Sequence, residues 1–269
     1  MLTGLFEQAL SALLTADPEL KARLAHDLHA AWQRRELTED AVWPVETITQ
    51  PGRPSQPELV PPLHVPRRKM TTPAGRAALI HALAHIEFNA INLALDAAYR
   101  FRGLPAEFYG DWLKVAAEEA LHFQLLRGHL RSLGHDYGDF PAHNGLWEMA
   151  LRTAHDALAR MALVPRVLEA RGLDAMPGIV GKFRAAGDQA AVDILAIIER
   201  DEIGHVAIGS RWYFHLCRER GLEPVDTFRR LLNDYDAPPL KPPFNLEARR
   251  KSGFAEAELF WLEKLSGAI

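Results

Sequence analysis

The stretch Ile197-Ile-Glu-Arg-Asp-Glu-Ile-Gly-His205 places three acids and a histidine inside an otherwise apolar segment. Within it, Glu202 and His205 stand three residues apart, a spacing that puts two side chains on one face of an α-helix. An earlier segment, Val115-Ala-Ala-Glu-Glu-Ala-Leu-His122, repeats this order of an acid, a glutamate and a histidine. The two matching turns predict a helical protein organised around them.

The composition is that of a globular protein, since 48% of the 269 residues are hydrophobic. A formal net charge of −4 gives no reason to expect a nucleic-acid partner. The one cysteine, Cys217, rules out an internal disulfide and fits a reducing compartment. The N-terminal residues show no signal-peptide pattern, and no apolar run reaches the roughly 18 residues of a membrane span. We therefore expect a soluble, cytoplasmic protein.

Hydrophobic spacing predicts an all-α fold, because apolar residues recur at intervals near those of a helix and no alternating strand pattern of useful length is present. Four long helices are expected at its centre, over residues 72–102, 105–133, 146–171 and 189–220. Pro165 predicts a kink in the third of them. Shorter helices are expected over residues 5–35, broken by Asp17-Pro18, and over residues 175–186, 223–232 and 254–265.

Prolines divide the chain into three parts. They crowd residues 44–66, so this segment is expected to be extended and to lie as a strap along a surface. More prolines interrupt the chain after residue 236. The predicted division is therefore N-terminal helices and strap over residues 1–66, a four-helix bundle over 67–235, and a helical C-terminal tail over 236–269.

Two further acids are predicted to face the core on helices that lack the Glu-x-x-His motif. The three- and four-residue neighbours of Glu87 are apolar, so its carboxylate points into the apolar stripe of the first long helix. Glu169 is predicted to lie on the core-facing side of the third long helix in the same way. Glu87 precedes Glu119 by 32 residues, and Glu169 precedes Glu202 by 33. Because a buried carboxylate is costly unless it is paired or binds a metal, this regular pattern indicates a metal site.

Folding the two halves together antiparallel would bring four glutamates and two histidines to one level of a bundle. That is the ligand set of a carboxylate site for two metal ions. Carboxylates bridge and neutralise divalent cations while each neutral imidazole supplies one nitrogen, a mixture that suits iron or manganese. The predicted ligands are Glu87, Glu119, His122, Glu169, Glu202 and His205.

Three more acids stand beside these ligands. Glu118 and Asp201 each lie four residues before the histidine of their motif, and each is expected to hold the second ring nitrogen of that histidine. Glu199, one turn before Glu202, leaves three interpretations open: a further ligand, an outer hydrogen-bonding acid or a solvated residue. We favour the interpretation of Glu199 as an outer hydrogen-bonding acid.

At these residues the chain resembles the ferritin-like superfamily of di-metal carboxylate proteins. Three stretches look like a bacterial ferritin-like family of unknown function: Tyr137-Gly-Asp-Phe-Pro-Ala-His143, Ala159-Arg-Met-Ala-Leu-Val-Pro-Arg-Val-Leu-Glu-Ala-Arg-Gly-Leu-Asp174 and Pro243-Phe-Asn-Leu-Glu-Ala-Arg249. The resemblance covers the chain from about residue 60 onward. It implies a four-helix bundle with a di-metal site, and no particular substrate. The superfamily includes tRNA hydroxylases, fatty-acid and aldehyde oxygenases and ferritins, so the fold alone does not choose among them.

We expect an O₂-activating oxidoreductase with two iron ions, or iron and manganese, as cofactor and O₂ as co-substrate. Its substrate would be a small molecule. Two alternatives stay open: a ferroxidase or iron-handling protein, and a non-catalytic binding protein stabilised by metal. The additional helices, strap and tail argue against a storage cage, whose subunits keep their outer surfaces free. Apolar positions on the outer helices leave a homodimer open.

Four other residues have less specific interpretations. His81 and His85, four residues apart, are interpreted as part of a polar helix face and not as a metal-binding pair. Arg166 is expected to form a structural ion pair, with a site carboxylate or a substrate as alternative partners. Gly204, inside the fourth long helix, indicates close approach of another backbone or the wall of a channel.

Overall fold

The computed structural model describes residues 3–39, 43–66 and 68–267. Regular secondary structure in these residues is helical, apart from one pair of two-residue strands and one isolated bridge. The prediction of an all-α fold is therefore confirmed. The chain forms two compact units, residues 1–148 and residues 149–269.

In the first unit, four helices pack on one another. The elements are β1 (Thr3–Gly4), α1 (Leu5–Leu14), α2 (Pro18–Gln33), β2 (Leu37–Thr38), a 3-10 helix (Pro62–His64), α3 (Pro73–Arg100) and α4 (Ala106–Ser132). The helix α3 packs chiefly against α4 and also against α1, while α2 packs on α4. The two short strands pair in parallel.

Local sequence explains where these helices begin and end. The Asp17 side chain accepts a hydrogen bond from the Leu20 amide at 2.7 Å, and Pro18 follows in the first turn, where no amide proton is needed. Thr72 caps α3 in the same way. Gly103, with φ of +77°, makes the turn from α3 into α4, a conformation that favours glycine.

Among the described residues, α3 is the helix long and apolar enough to cross a membrane by length and composition. However, 78% of its most apolar 18-residue window is buried inside the protein. Phe88, Ile91 and Leu93, which lie at well-separated angles around the helix axis, are all buried. A long apolar helix that is mostly buried is typical of the core of a soluble protein.

The proline-rich strap, residues 44–66, is attached to the first unit by backbone hydrogen bonds. The Gly52 amide donates to the Leu13 carbonyl at 2.9 Å, and the Val60 amide donates to the Ala142 carbonyl at 2.8 Å. A Cβ at residue 52 would overlap the backbone of α1, so only glycine permits this approach. The strap is therefore held to the first unit at residues 52 and 60.

The second unit is built around one long helix. The elements are α5 (Gly145–Arg152), which begins before the boundary, α6 (Ala157–Leu163), the π-helix (Val164–Glu169), α7 (Ala170–Ala185), α8 (Gln189–Glu219), α9 (Pro224–Asp234), α10 (Leu246–Lys251) and α11 (Glu256–Leu265). The long helix, α8, packs against α6, the π-helix and α7, and α9 and α10 also contact it.

The prediction of one long third helix is wrong. The spacing predicts a helix over residues 146–171, but the structure ends one helix at Arg152 and starts another at Ala157, where Asp156 caps it by accepting from the Leu158 amide at 3.0 Å. The kink predicted at Pro165 is a π-helix. Proline lacks an amide proton and its ring clashes with the carbonyl four residues earlier, and the wider π turn relieves that clash.

Candidate metal centre

The hairpin of α3 and α4 brings Glu87 and Glu119 to the same level. The two residues are equidistant along the chain from Gly103, where the hairpin turns. Antiparallel helices with the same rise per residue place such residues opposite each other. The interval between the two glutamates is therefore the one that a helical hairpin needs in order to pair them.

His122 completes a buried cluster in this hairpin. Its Nδ1 atom lies 3.3 Å from Glu87 Oε2 and 3.4 Å from Glu119 Oε2. Glu119 and His122 are fully buried, and Glu87 is 5% exposed. One ligand atom from each of the three residues lies within 4.8 Å of the others. This first-unit cluster could hold a metal ion.

The distances in the first-unit cluster fit a divalent cation. Two ligand atoms that are each about 2.1 Å from one ion stand about 3.0–3.4 Å apart. The distances from the His122 ring nitrogen to the two carboxylates fall in this range. Glu87 Oε2 makes no hydrogen bond to the part of the chain that the structure describes. A cation would supply the partner that a buried carboxylate oxygen needs.

Protons neutralise part of the charge in the first-unit cluster. Burial and the charge of Glu119 raise the pKa of Glu87 to about 8. Burial disfavours the charged imidazole of His122, but the adjacent carboxylates of Glu119 and Glu87 outweigh it and raise the pKa of His122 to about 11. Metals bind carboxylate and neutral imidazole, so a metal ion must displace these protons.

The second motif forms a matching pair in the second unit. On α8, His205 Nδ1 lies 3.4 Å from Glu202 Oε1. His205 is fully buried and Glu202 is 8% exposed. The same ring nitrogen faces the glutamate in both motifs. The repeated sequence pattern is therefore a repeated side-chain geometry.

Glu169 ends the π-helix and lies at the level of His205. The helices α7 and α8 form a hairpin that turns at Gly187, and Pro165 and Gly209, equidistant from Gly187, are packed so closely that a Cβ at residue 209 would overlap the proline ring. Glu169 and His205 are also equidistant from Gly187. The Oε2 atom of Glu169 is buried, and the residue as a whole is half-buried.

Within each unit, the structure brings a group of the predicted ligands together. In the first unit, three of the predicted ligands lie together. In the second unit, two lie together, and the helix register places the remaining glutamate at their level. The first group is Glu87, Glu119 and His122, and the second is Glu202 and His205 with Glu169.

Two of the three neighbouring acids have ion-pair partners. Glu118 Oε1 lies 3.4 Å from Lys114 Nζ. Asp201 accepts two hydrogen bonds from Arg200, at 2.8 and 2.9 Å. Glu199 is half-buried. Their expected roles beside the histidines stay predictions.

His81 and His85 belong to a polar face of α3 that the loop after α4 buries. His81 Nε2 accepts a hydrogen bond from the Gly138 amide at 2.9 Å. His85 Nε2 lies 3.0 Å from the His143 carbonyl, and its Nδ1 lies 2.9 Å from the Tyr137 hydroxyl. Burial lowers the pKa of both imidazoles to about 4. They therefore fasten the loop as neutral hydrogen-bonding groups.

Sequence reasoning misses Lys21, a fully buried lysine of α2. Its ammonium group donates to the Leu13 carbonyl at 2.8 Å and to the side-chain oxygen of Asn92. Burial lowers the pKa of Lys21 to about 7. The available signal is its helical spacing, because Lys21 lies on the same stripe as the buried Ala25 and Leu28.

Arg166 has the predicted environment, and Gly204 does not. Arg166 is fully buried and donates to both carboxylate oxygens of Glu258 at 2.8 Å, which confirms the expected structural ion pair. The expectation of a close approach at Gly204 is wrong: in residues that the structure describes, no neighbouring atom lies within 4 Å of the position of its Cβ. The close approach in α8 is at Gly209.

These features define the chain as an all-helical protein with buried carboxylate and imidazole side chains that could hold a metal. A family profile described as a protein of unknown function, DUF455, matches residues 14–260, and the chain belongs to that family. A relative from Haemophilus influenzae that carries the name uncharacterized protein is 48% identical over 281 aligned residues, which cover 100% of this chain and 97% of that one. No solved structure matches the chain. The match agrees with the expected family of unknown function; it names no ferritin-like family.

Proposed function

We propose that the protein holds two metal ions in a ferritin-like four-helix arrangement of its long helices. The support is one repeated observation: in both Glu-x-x-His motifs the histidine Nδ1 lies 3.3–3.4 Å from a carboxylate, and both histidines are fully buried. The two groups of residues would then form a single centre. Its ligands would be Glu87, Glu119, His122, Glu169, Glu202 and His205.

Charge favours two ions over one. The four carboxylates together carry four negative charges, which two divalent cations neutralise. With all four carboxylates deprotonated as ligands, one cation would leave a net negative charge in a buried place, and uncompensated buried charge is strongly unfavourable. The mixture of carboxylate oxygen and imidazole nitrogen suits iron, or iron with manganese.

Within this proposal the protein is an oxidoreductase that activates O₂ toward a small-molecule substrate. The bound metal pair would supply the redox chemistry. The protein would hold the pair with its carboxylates and imidazoles and exclude water from it with the apolar side chains on the same face of α4, among them Val115, Ala116 and Phe123, all of them buried. We place the protein in the cytoplasm, because its one cysteine, Cys217, is a buried free thiol that suits a reducing compartment.

Metal content tests the proposal directly. Protein repleted with Fe²⁺ under argon is expected to hold about two ions per chain, and Glu119→Gln combined with Glu202→Gln should reduce this below one. The matched control is Glu107→Gln with Glu219→Gln, which changes two exposed glutamates on the same two helices and should retain both ions. Fewer than about one ion in the natural protein, with no further loss in the ligand variant, would defeat the proposal.

Oxygen uptake separates the activities. When Fe²⁺-loaded protein is mixed with aerated buffer, an oxidoreductase should consume O₂ in proportion to its bound iron and then stop until a reductant is added. A ferroxidase should continue to consume O₂ for as long as excess Fe²⁺ is supplied. A loaded protein that consumes no O₂ would exclude both activities and leave a metal-stabilised binding protein.

A further inference from the structure

The π-helix that carries Glu169 needs support from its surroundings. Its wider turns are rare in proteins and occur mostly as single turns, often at functional sites. Here the turn is six residues long, Val164–Glu169, and contains Pro165. Contacts with other elements must therefore hold it in place.

Arg166 makes the polar contacts that hold this turn. Its Nη2 atom donates to both carboxylate oxygens of Glu258 at 2.8 Å, and its Nε atom donates to the Ser210 hydroxyl at 3.2 Å. Arg166 is fully buried and Glu258 is 1% exposed. The π-helix is thereby tied both to α8 and to α11.

Aromatic rings enclose the Arg166 guanidinium. Its central carbon lies 4.5–5.1 Å from the centroids of four rings, those of Tyr213, Phe214, Phe228 and Phe254. Rings at this distance attract a cation and keep water away from it. In such surroundings the ion pair is weakly screened, and its geometry is correspondingly well defined.

Glu258 joins this ion pair to the C-terminal tail. Its carboxylate also accepts a hydrogen bond from the Ala255 amide at 2.9 Å, which caps the first turn of α11. On the same helix, Leu259 and Leu262 belong to the apolar cluster that contains Ala170 and Val206. One carboxylate therefore fixes the start of α11 and the side chain of Arg166 together.

We infer that Arg166 and Glu258 position Glu169, and that the C-terminal tail is for this reason part of the metal centre. The inference rests on the proposed function, in which Glu169 is a ligand. Arg166 lies three residues before Glu169 in the same π-helix, so a shift of one moves the other. Arg166 and Glu258 are positioning residues: they pair with each other and bind no metal.

The experiment removes both charges at once, because a single buried charge left without its partner would endanger the fold. The variant is Arg166→Met with Glu258→Gln, in which glutamine keeps an acceptor for the cap of α11. The matched control is Arg249→Met with Asp174→Asn. That buried pair, at 2.6 and 2.9 Å, joins α10 to α7 and has neither partner in the π-helix.

Hydrogen–deuterium exchange of the metal-free protein gives the first measurement. In the Arg166/Glu258 variant, amides of residues 164–170 should exchange about tenfold faster than in the natural protein, while the control leaves them unchanged. Ser210→Ala, which removes only the Nε contact, should produce a smaller increase in the same residues. Unchanged exchange in residues 164–170, or an equal increase in both double variants, would overturn the inference.

Metal content gives the second measurement. The Arg166/Glu258 variant should fall from about two Fe²⁺ ions per chain to about one, and the control should keep both. Full retention by the Arg166/Glu258 variant would overturn the positioning role. If the natural protein binds no Fe²⁺ but the exchange result holds, the proposed function fails, and the support of the π-helix by Glu258 stands.

Discussion

Gly209 of α8 packs directly against Pro165 of the π-helix. A side chain as small as a methyl group at residue 209 would overlap the Cβ and Cγ atoms of the proline. The two helices reach this separation because residue 209 is glycine. The contact belongs to the register that places Glu169 level with His205.

Replacement of this glycine should destabilise the protein. Gly209→Ala forces the π-helix and α8 apart and should lower the free energy of unfolding by about 1–3 kcal/mol. The control is Gly204→Ala in the same helix, where no neighbouring atom in the described chain meets the new methyl group. It should raise stability by up to about 1 kcal/mol through helix propensity. Urea unfolding measures the free energy of unfolding of both variants. Equal changes in the two would show that the contact between Gly209 and Pro165 does not stabilise the protein.

Metal binding should release protons. At pH 7 the carboxyl of Glu87, with a pKa of about 8, and the imidazole of His122, with a pKa of about 11, are both protonated in the metal-free cluster. Loading should therefore release about two protons from these residues, and the affinity for Fe²⁺ should rise with pH. Anaerobic calorimetry in buffers of different ionisation enthalpy counts the protons. On loading, the Glu87→Gln variant should release one proton fewer than the natural protein, and the Glu107→Gln variant should release the same number.

Lys21 should make stability depend on pH. Its folded pKa of about 7 lies below the ordinary lysine pKa of 10.5, so the unfolded chain binds more protons between these two pH values. Its contribution to stability therefore rises with pH, by up to about 1.4 kcal/mol per unit between pH 7 and pH 10. Lys21→Met should remove this slope. Denaturant unfolding at several pH values measures this dependence, with Lys182→Met at an exposed position as control. If the free energy of unfolding of Lys21→Met and of the natural protein changes in parallel with pH, the prediction is wrong.

Metal should stabilise the fold. A ligand that binds only the folded state at 100 times its dissociation constant adds about 2.7 kcal/mol to the free energy of unfolding. Thermal unfolding under argon with Mn²⁺ or Fe²⁺ should therefore occur at a higher temperature than with a chelator. Glu119→Gln should lose most of this shift, because Glu119 lies against His122 in the first-unit cluster. A shift retained in full by this variant would place the metal elsewhere.

Most of the helices and most of the candidate ligands were predictable from local pattern, but the break between Arg152 and Ala157 was not. Helical spacing alone puts Glu119 beside His122 and Glu202 beside His205, because residues three apart share a face in any α-helix. Chain symmetry about Gly103 then pairs Glu87 with Glu119, since the two helices of a short hairpin run antiparallel. These relationships need no knowledge of which other elements pack nearby.

Tertiary structure decided the rest. The sequence alone determined the helical character of the chain and the faces that carry its acids and histidines, because these follow from the geometry of a single helix. It did not determine that Arg166 pairs with Glu258, that Lys21 is buried beside Asn92, or that the turn at Pro165 is a π-helix. Each of these depends on packing between residues far apart in the chain, where burial and neighbouring charge outweigh local preference.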